Sequence, residues 1–288
     1  MDDTMQAQYF RPVDLASALD WLAANDARIA AGCTDLLAST SAQRLSGNVL
    51  DVTAIGELRG ISRNDEHWRF GATTTWTDVI EADLPPAFDS LKLAAREVGS
   101  QQIQHAGTLA GNLCNASPAA DGVPCWLTLD AQVEIVSNAD TRRLPLGAFI
   151  TGPRKTELAR SELVSAILVP HRSCRGRSTF LKLGARKYLV ISIAMVAVRL
   201  AVENGIIVDS AISVGSCSAV AARLSALENS LAGQSLNEID LPDLGMLIQD
   251  DIDPIHDLRS DANARSNAAI ELVQRCIASL GSDKVGDE

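Results

Sequence analysis

The chain has 288 residues, 47% of them hydrophobic, which is enough to bury the cores of about two domains. Its formal net charge of −11 argues against nucleic-acid and anionic membrane partners, because phosphate groups carry charge of the same sign. The acidic N-terminus has no apolar segment flanked by positive charge, so we expect no secretory signal and a cytoplasmic protein. The most apolar run, 188–198, is shorter than the ~20 residues of a membrane-spanning helix.

Short helices and strands are predicted to alternate in the N-terminal half. Asp14 is predicted to cap a helix that runs to about Asn25, since leucines and alanines recur there at the spacing of one helical face. Arg28–Ala31 predicts a buried strand, and the segment after it predicts a turn that enters a second helix at Leu36-Leu37. Further elements in this half are predicted strands at 48–52 and 67–71 and a helix from Pro85 to Val98.

The C-terminal half predicts antiparallel strands followed by helices. A basic and polar stretch at 171–178 interrupts the apolar pattern, so we place a domain boundary there, between residues 174 and 175. Asn204-Gly205 separates two apolar runs and is typical of a tight hairpin turn. The other predicted elements are a hairpin with strands at 131–136 and 142–146, the hairpin strands at 190–203 and 206–216, and helices at 219–231 and 259–280.

Six cysteines are spread along the chain without the spacing of about two to four residues that zinc and iron–sulfur sites usually show. We therefore expect no metal site on this chain and reduced cysteines. The four histidines are isolated, and no acid–base or nucleophile set can be recognised, so no catalytic residue is predicted.

Two loops of small residues are candidates for a binding site. We call AAGCTD at 30–35 the first loop and AGTLAGN at 106–112 the second loop. Backbone N–H groups in such turns can bind anions, and a helix N-terminus adds a favourable dipole. Neither loop has the Walker A or the Gly-x-Gly-x-x-Gly pattern. Taken alone, the first loop is more typical of an ordinary packing turn.

The second loop resembles a known cofactor signature. Gly107–Asn112, followed by Asn115–Asp121, is similar to the FAD-binding signature of the flavin subunits of molybdenum hydroxylases. The family's second signature, Ala-Gly-Gly-Thr-Asp, resembles Ala31–Asp35, and the similarity extends to 102–104 and 180–186. Two motifs in order at the expected separation are more specific than either motif alone.

The resemblance implies an α+β fold: a vanillyl-alcohol-oxidase-type (PCMH-type) FAD-binding domain of two α/β subdomains over 1–174, then a small α+β domain with an antiparallel sheet over 175–288. Asp121 matches an acidic FAD contact, Lys182 a basic one, and Val164 an apolar position near the flavin. A solvated lysine and an ordinary core valine are the alternatives for the last two. The positions matching FAD contacts are Ile29, Ala30, Ala31, Gly32, Cys33, Thr34, Asp35, Leu36, Thr108, Leu109, Ala110, Gly111, Asn112, Asp121, Val164 and Lys182.

Two residues depart from the family pattern. Cys33 and Ala110 stand where glycine is usual, and each adds a Cβ near the expected phosphate path. We expect them to influence the affinity for FAD rather than the identity of the cofactor.

The resemblance implies an electron-transfer role, because FAD accepts single electrons and passes on pairs. The implied partners are a small subunit with two [2Fe–2S] clusters and a large molybdopterin subunit, which would determine the organic substrate, and the implied acceptor is NAD⁺ or another carrier. Two alternatives stay open: a free-standing flavin-dependent oxidase or dehydrogenase, and an assembly protein without flavin.

Overall fold

The computed structural model describes residues 7–38, 46–187 and 189–282. The N-terminal elements are β1 (Tyr9–Phe10), α1 (Leu15–Ala24), β2 (Ala27–Ala30), β3 (Asn48–Asp51), β4 (Ile61–Arg63), β5 (His67–Gly71), α2 (Trp76–Glu81), α3 (Asp89–Glu97), α4 (Gln101–Ala106), α5 (Leu109–Asn115), α6 (Gly122–Thr128), β6 (Gln132–Val136), β7 (Thr141–Pro145), α7 (Leu146–Phe149), β8 (Ile150–Gly152), β9 (Lys155–Thr156) and β10 (Leu163–Pro170). The later elements are β11 (Arg177–Leu183), β12 (Ala194–Glu203), β13 (Ile206–Gly215), β14 (Ala222–Arg223), α8 (Ser225–Leu231), α9 (Gly245–Asp250) and α10 (Ala262–Ser282).

A small parallel sheet and helix α1 form the first α/β unit. Its strand order is β1-β3-β2, and both pairs are parallel. The predicted cap of α1 is confirmed, because Asp14 Oδ1 accepts a hydrogen bond of 2.8 Å from the Ser17 N–H. Buried Leu19 and Leu22 of α1 pack in one cluster with Leu50 of β3, so the helix packs against this sheet.

A five-stranded antiparallel sheet forms the second unit, in the order β4-β5-β10-β6-β7. Its core is aromatic: the ring centroids of Phe70 and Trp126 lie 5.0 Å apart, and Trp76 and Phe88 are buried in the same cluster. This core supports α5, whose N-terminal residues carry the second loop.

The C-terminal sheet is antiparallel, in the order β11-β12-β13-β14, and its buried side chains cluster with those of the long helix α10. The predicted turn at Asn204-Gly205 is confirmed, with φ of 52° and 81° at the two residues, as a tight hairpin turn requires. The predicted α+β class and the antiparallel C-terminal sheet are thus confirmed. Among the described residues, no helix has both the length and the apolar character needed to cross a membrane.

Two arginines of the C-terminal sheet, one buried and one partly buried, bind the end of α6. Arg199, 1% exposed, donates from Nε to the Thr128 carbonyl oxygen at 2.9 Å. Arg223 Nη1 donates to the Leu127 carbonyl at 2.8 Å and to Asp130 Oδ1 at 2.9 Å. Cations at a helix C-terminus satisfy its unpaired carbonyl oxygens, so these contacts join the two halves of the molecule.

Two predicted boundaries were wrong, and one predicted helix lies mostly outside the described residues. The helix predicted to begin at Leu36-Leu37 would continue through 39–45, which the structure does not describe, and residues 34–38 form a turn. Helix α8 begins at Ser225 rather than at 219, because the chain first adds strand β14 to the sheet edge. The strand predicted from 190 begins at Ala194, where pairing with β11 starts. Strand pairing in the folded protein sets the first residues of these elements, and an apolar pattern in the local sequence does not show that pairing.

Candidate functional site

A cleft of about 660 Å³ lies between the first loop and the N-terminus of α5. This volume is within the range of roughly 300–1,000 Å³ that is usual for ligand pockets. Both small-residue loops line the cleft, although about seventy residues of sequence separate them. The fold therefore brings the two motifs together on one surface.

The backbones of the two loops are in direct contact at Gly32. A Cβ placed on Gly32 would lie 1.9 Å from the Ala106 carbonyl oxygen and 3.0 Å from Gly107 Cα, distances that no side chain can accept. The next residue, Cys33, has a φ of 54°, a left-handed conformation that is unfavourable for a residue with a Cβ. Burial raises the pKa of the Cys33 thiol, so at neutral pH this side chain adds no negative charge to the loop.

Most N–H groups of the second loop donate to acceptors within the protein. Those of Leu109 and Ala110 donate to carbonyl oxygens of the segment 72–74, at 2.9 and 3.2 Å. The Gly111 N–H donates to Thr108 Oγ1 at 3.2 Å, which is the N-cap bond of α5. These bonds attach the start of α5 to the segment that follows β5.

The first loop is different. Within residues 7–38, 46–187 and 189–282, the N–H groups of Gly32, Cys33 and Thr34 donate to no protein acceptor. All three residues line the cleft. Free amide groups at the wall of a cleft are suited to bind an anionic ligand.

Asn112 supplies a further polar group in the cleft. Its side chain lines the cavity, and its buried Oδ1 has no hydrogen-bond partner in the described part of the chain. A buried polar atom without a partner is costly, and a bound ligand can compensate such a site. The free amides can donate to the oxygens of a diphosphate, and Asn112 Oδ1, which only accepts hydrogen bonds, can accept one from a hydroxyl group of the ligand, so both fit FAD.

Asp121 and Lys182 are paired with each other. Lys182 Nζ lies 2.9 Å from Asp121 Oδ2, and Ser192 Oγ donates to Asp121 Oδ1 at 2.6 Å. Burial raises the pKa of the Asp121 carboxyl, and the charge of Lys182 opposes that shift. The Lys182 side chain is only 6% exposed, so it is not a solvated surface lysine. The pair joins the N-terminus of α6 to strand β11, beside a second cavity of about 510 Å³ that Lys182 and Glu97 line.

Most of the predicted site residues lie on the cleft. Val164 on β10 is one of them, and it is nearly buried. Ala30 and Leu109 are buried behind the cleft wall, and the Asp121–Lys182 pair lies outside it. The predicted residues that line the cleft are Ile29, Ala31, Gly32, Cys33, Thr34, Asp35, Leu36, Thr108, Ala110, Gly111, Asn112 and Val164.

Two residues that line the cleft could not be predicted from sequence motifs. Trp76 has an aromatic ring in its wall, and Arg154 places a guanidinium group there. Neither belongs to a small-residue motif, and only the tertiary structure brings them to the site. Among the described residues, no group of three histidine, cysteine, aspartate or glutamate side chains is arranged to hold a metal ion.

The two-unit N-terminal domain, its ligand-sized cleft and the antiparallel C-terminal sheet define the class of protein: a two-domain flavoprotein of α+β fold. A family model described as the FAD-binding domain in molybdopterin dehydrogenase matches residues 4–172. The model of the CO dehydrogenase flavoprotein C-terminal domain matches residues 179–280. The chain therefore belongs to the family of FAD-binding domains of molybdopterin dehydrogenases.

Named relatives agree with this assignment. The chain is 28% identical over 284 residues to the putative xanthine dehydrogenase FAD-binding subunit of Escherichia coli strain K12, covering 97% of this chain and 96% of the relative. It is 28% identical to the glyceraldehyde dehydrogenase medium chain of Sulfolobus acidocaldarius, covering 88% and 91%. A chain of carbon monoxide dehydrogenase from Hydrogenophaga pseudoflava has the same fold, with a TM-score of 0.87, 24% identity and coverage of 96% and 98%. The relatives are components of oxidoreductases.

Proposed function

We propose that FAD binds in the cleft, with its diphosphate near the free amide groups of the first loop. The observation that carries this proposal is the run of three unpaired N–H groups at Gly32, Cys33 and Thr34 in the wall of a ligand-sized cavity. Residues 29–36 and 108–112, with Val164, would hold the cofactor. Bound FAD would supply one- and two-electron chemistry.

Thr34, Thr108 and Asn112 would add hydroxyl and amide hydrogen bonds in the cleft. We retain Asp121 and Lys182 as predicted contacts because they match family positions. Their mutual ion pair would position α6 against β11 at the edge of the cofactor site.

We further propose that the chain is the electron-transferring flavin subunit of a molybdenum hydroxylase complex. The names of the relatives support this role, since they are an FAD-binding subunit and a medium chain. In this proposal a small subunit with two [2Fe–2S] clusters supplies electrons, a large molybdopterin subunit oxidises the organic substrate, and NAD⁺ or another carrier accepts the electrons. A cytoplasmic heterotrimer and a domain boundary between residues 174 and 175 remain predictions.

Titration of the purified apoprotein with FAD tests the binding step. We expect uptake of one flavin per chain with quenching of its fluorescence, and a well-folded preparation that takes up no FAD would contradict the proposal.

Denaturation should release the flavin, whereas flavin that stays attached would favour a free-standing oxidase. Affinity purification from the native source should recover a cysteine-rich small chain and a large molybdenum-containing chain, and recovery of a flavin-loaded chain alone would contradict the relay role.

A further inference from the structure

Arg154 lines the cleft and has an unusual backbone conformation. It lies in the turn between β8 and β9, with a left-handed φ of 59°. Its N–H donates to the carbonyl oxygen of Ala116 at 2.8 Å, and Ala116 is itself the left-handed cap of α5, with φ of 45°. The β8–β9 turn is therefore attached to the end of the helix that carries the second loop.

The guanidinium group of Arg154 connects that helix to the first loop. Arg154 Nη1 lies 3.0 Å from Asp35 Oδ2, and it also donates to the side-chain and backbone oxygens of Asn115. One side chain thus bridges the last residue of the first loop and the last turn of α5. Both charged groups are about half exposed, at 55% for Arg154 and 48% for Asp35, so water and salt can weaken the pair.

The first loop is consequently held at two points. Gly32 fixes one end through backbone contact with Ala106, and Asp35 fixes the other end through Arg154. The unpaired N–H groups lie between these points, and no protein hydrogen bond in the described part of the chain holds them. Without the Arg154 contact, the end of the loop at Asp35 would lose this ion pair, and the amides beside it would gain freedom of motion.

We propose that Arg154 is a positioning residue, which acts through Asp35 to hold the first loop in the conformation that presents its free amides to the cleft. This inference rests on the proposed FAD site. Pre-ordering a loop raises affinity, because the bound state then requires less loss of conformational freedom. An exposed pair contributes little by itself, so the expected loss of FAD affinity is about threefold to fivefold.

A double-mutant cycle tests the coupling. FAD dissociation constants are measured by flavin fluorescence for the wild type, Arg154→Gln, Asp35→Asn and the double variant, at low and high salt. We expect each single change to weaken binding and the double variant to be no weaker than either single variant, with the differences shrinking at high salt. Arg154→Lys should recover part of the affinity, because a lysine ammonium group can pair with Asp35 but lacks the rigid, planar donor geometry of the guanidinium group.

Two results would overturn the proposal. The first is Arg154→Gln binding FAD as tightly as the wild type. The second is multiplication of the two single effects in the double variant, which would mean that Arg154 acts on the ligand independently of Asp35. Arg160→Gln is the matched control, because Arg160 forms a more exposed pair with Asp26, at 3.2 Å, and does not line the cleft. It should leave the affinity unchanged.

A second measurement is made on the apoprotein. It tests the role of Arg154 independently of whether FAD binds in the cleft. Backbone ¹⁵N relaxation should give lower order parameters for the amides at 32–35 in Arg154→Gln than in the wild type, and unchanged order parameters in Arg160→Gln. If the wild type fails to bind FAD, the proposed function is wrong, and the order parameters still decide whether Arg154 orders the loop. If the wild type binds FAD and the order parameters are identical in all three proteins, only the role of Arg154 is wrong.

Discussion

The two small-residue loops have similar composition but opposite states of hydrogen bonding. In the first loop, the N–H groups of Gly32, Cys33 and Thr34 have no acceptor in the described protein, and the backbone at Cys33 is left-handed. In the second loop, the N–H groups of Leu109 and Ala110 are bonded to the neighbouring segment, and both residues are almost fully buried. Small side chains therefore leave backbone N–H groups without an acceptor at the cleft in the first loop, whereas in the second loop they accompany close packing.

Because of this difference, we expect mutations in the two loops to have different effects on cofactor affinity and on stability. Changes in the first loop should act mainly on cofactor affinity, because its polar groups are not needed by the rest of the fold. Changes in the second loop should also lower stability, because its polar groups attach α5 to the segment after β5.

The largest effect is expected for Gly111→Glu, which should abolish detectable FAD binding. A Cβ at this position would lie 2.6 Å from Thr108 Oγ1, with no other described residue within 4 Å, and Gly111 lines the cleft, so we expect a longer side chain to reach the cleft. Its negative charge would repel the diphosphate. Gly111→Ala is the control that isolates the steric contribution. Full flavin occupancy of the glutamate variant would contradict the assignment of the cleft.

Gly32→Ala comes next, with an expected loss of FAD affinity of about 10- to 100-fold, corresponding to the ~1–3 kcal/mol of an overpacked site. The added methyl group would meet the Ala106 carbonyl oxygen, which belongs to the backbone and cannot rotate away. Isothermal titration with FAD measures the change. Gly56→Ala is the matched control, because a Cβ there meets nothing within 4 Å. Equal affinities for both variants would show that contact between the loops is not required.

Thr108→Val should act mostly on stability. It removes the hydroxyl that accepts the Gly111 N–H bond, and loss of such a cap costs about 1 kcal/mol of unfolding free energy. Urea unfolding of the apoprotein measures this loss, and Thr108→Ser, which keeps the hydroxyl, should retain most of the stability. Unchanged stability in the valine variant would mean that the cap does not hold the second loop.

The smallest effect is expected for Cys33→Gly. Glycine relieves a left-handed strain of about 1–2 kcal/mol, but its greater freedom in the unfolded chain offsets part of the gain. The net result should be a stability increase of about 1 kcal/mol or less with unchanged or slightly tighter FAD binding. Thermal unfolding and FAD titration check both, with Cys33→Ser as the control that keeps the Cβ. A tenfold loss of affinity in the glycine variant would show that the thiol itself contributes.

Local patterns predicted much of the fold. The cap at Asp14 and the hairpin turn at Asn204-Gly205 depend on neighbouring residues, and the structure shows both. Contacts at Gly32 and Asp35 join the first loop to segments that are remote in sequence, so local patterns do not predict them. Arg154 could not be found for the same reason.

The sequence by itself determined the class of fold, the likeness to a flavin-binding family and the two small-residue motifs, since each follows from residue type and spacing within a short segment. Only the tertiary structure decided that the two loops meet at Gly32, that three amides of the first loop have no acceptor among the described residues, and that Lys182 is buried against Asp121. Hydrogen-bond partners of a backbone group depend on which distant segment packs against it, and that packing is a property of the whole folded chain.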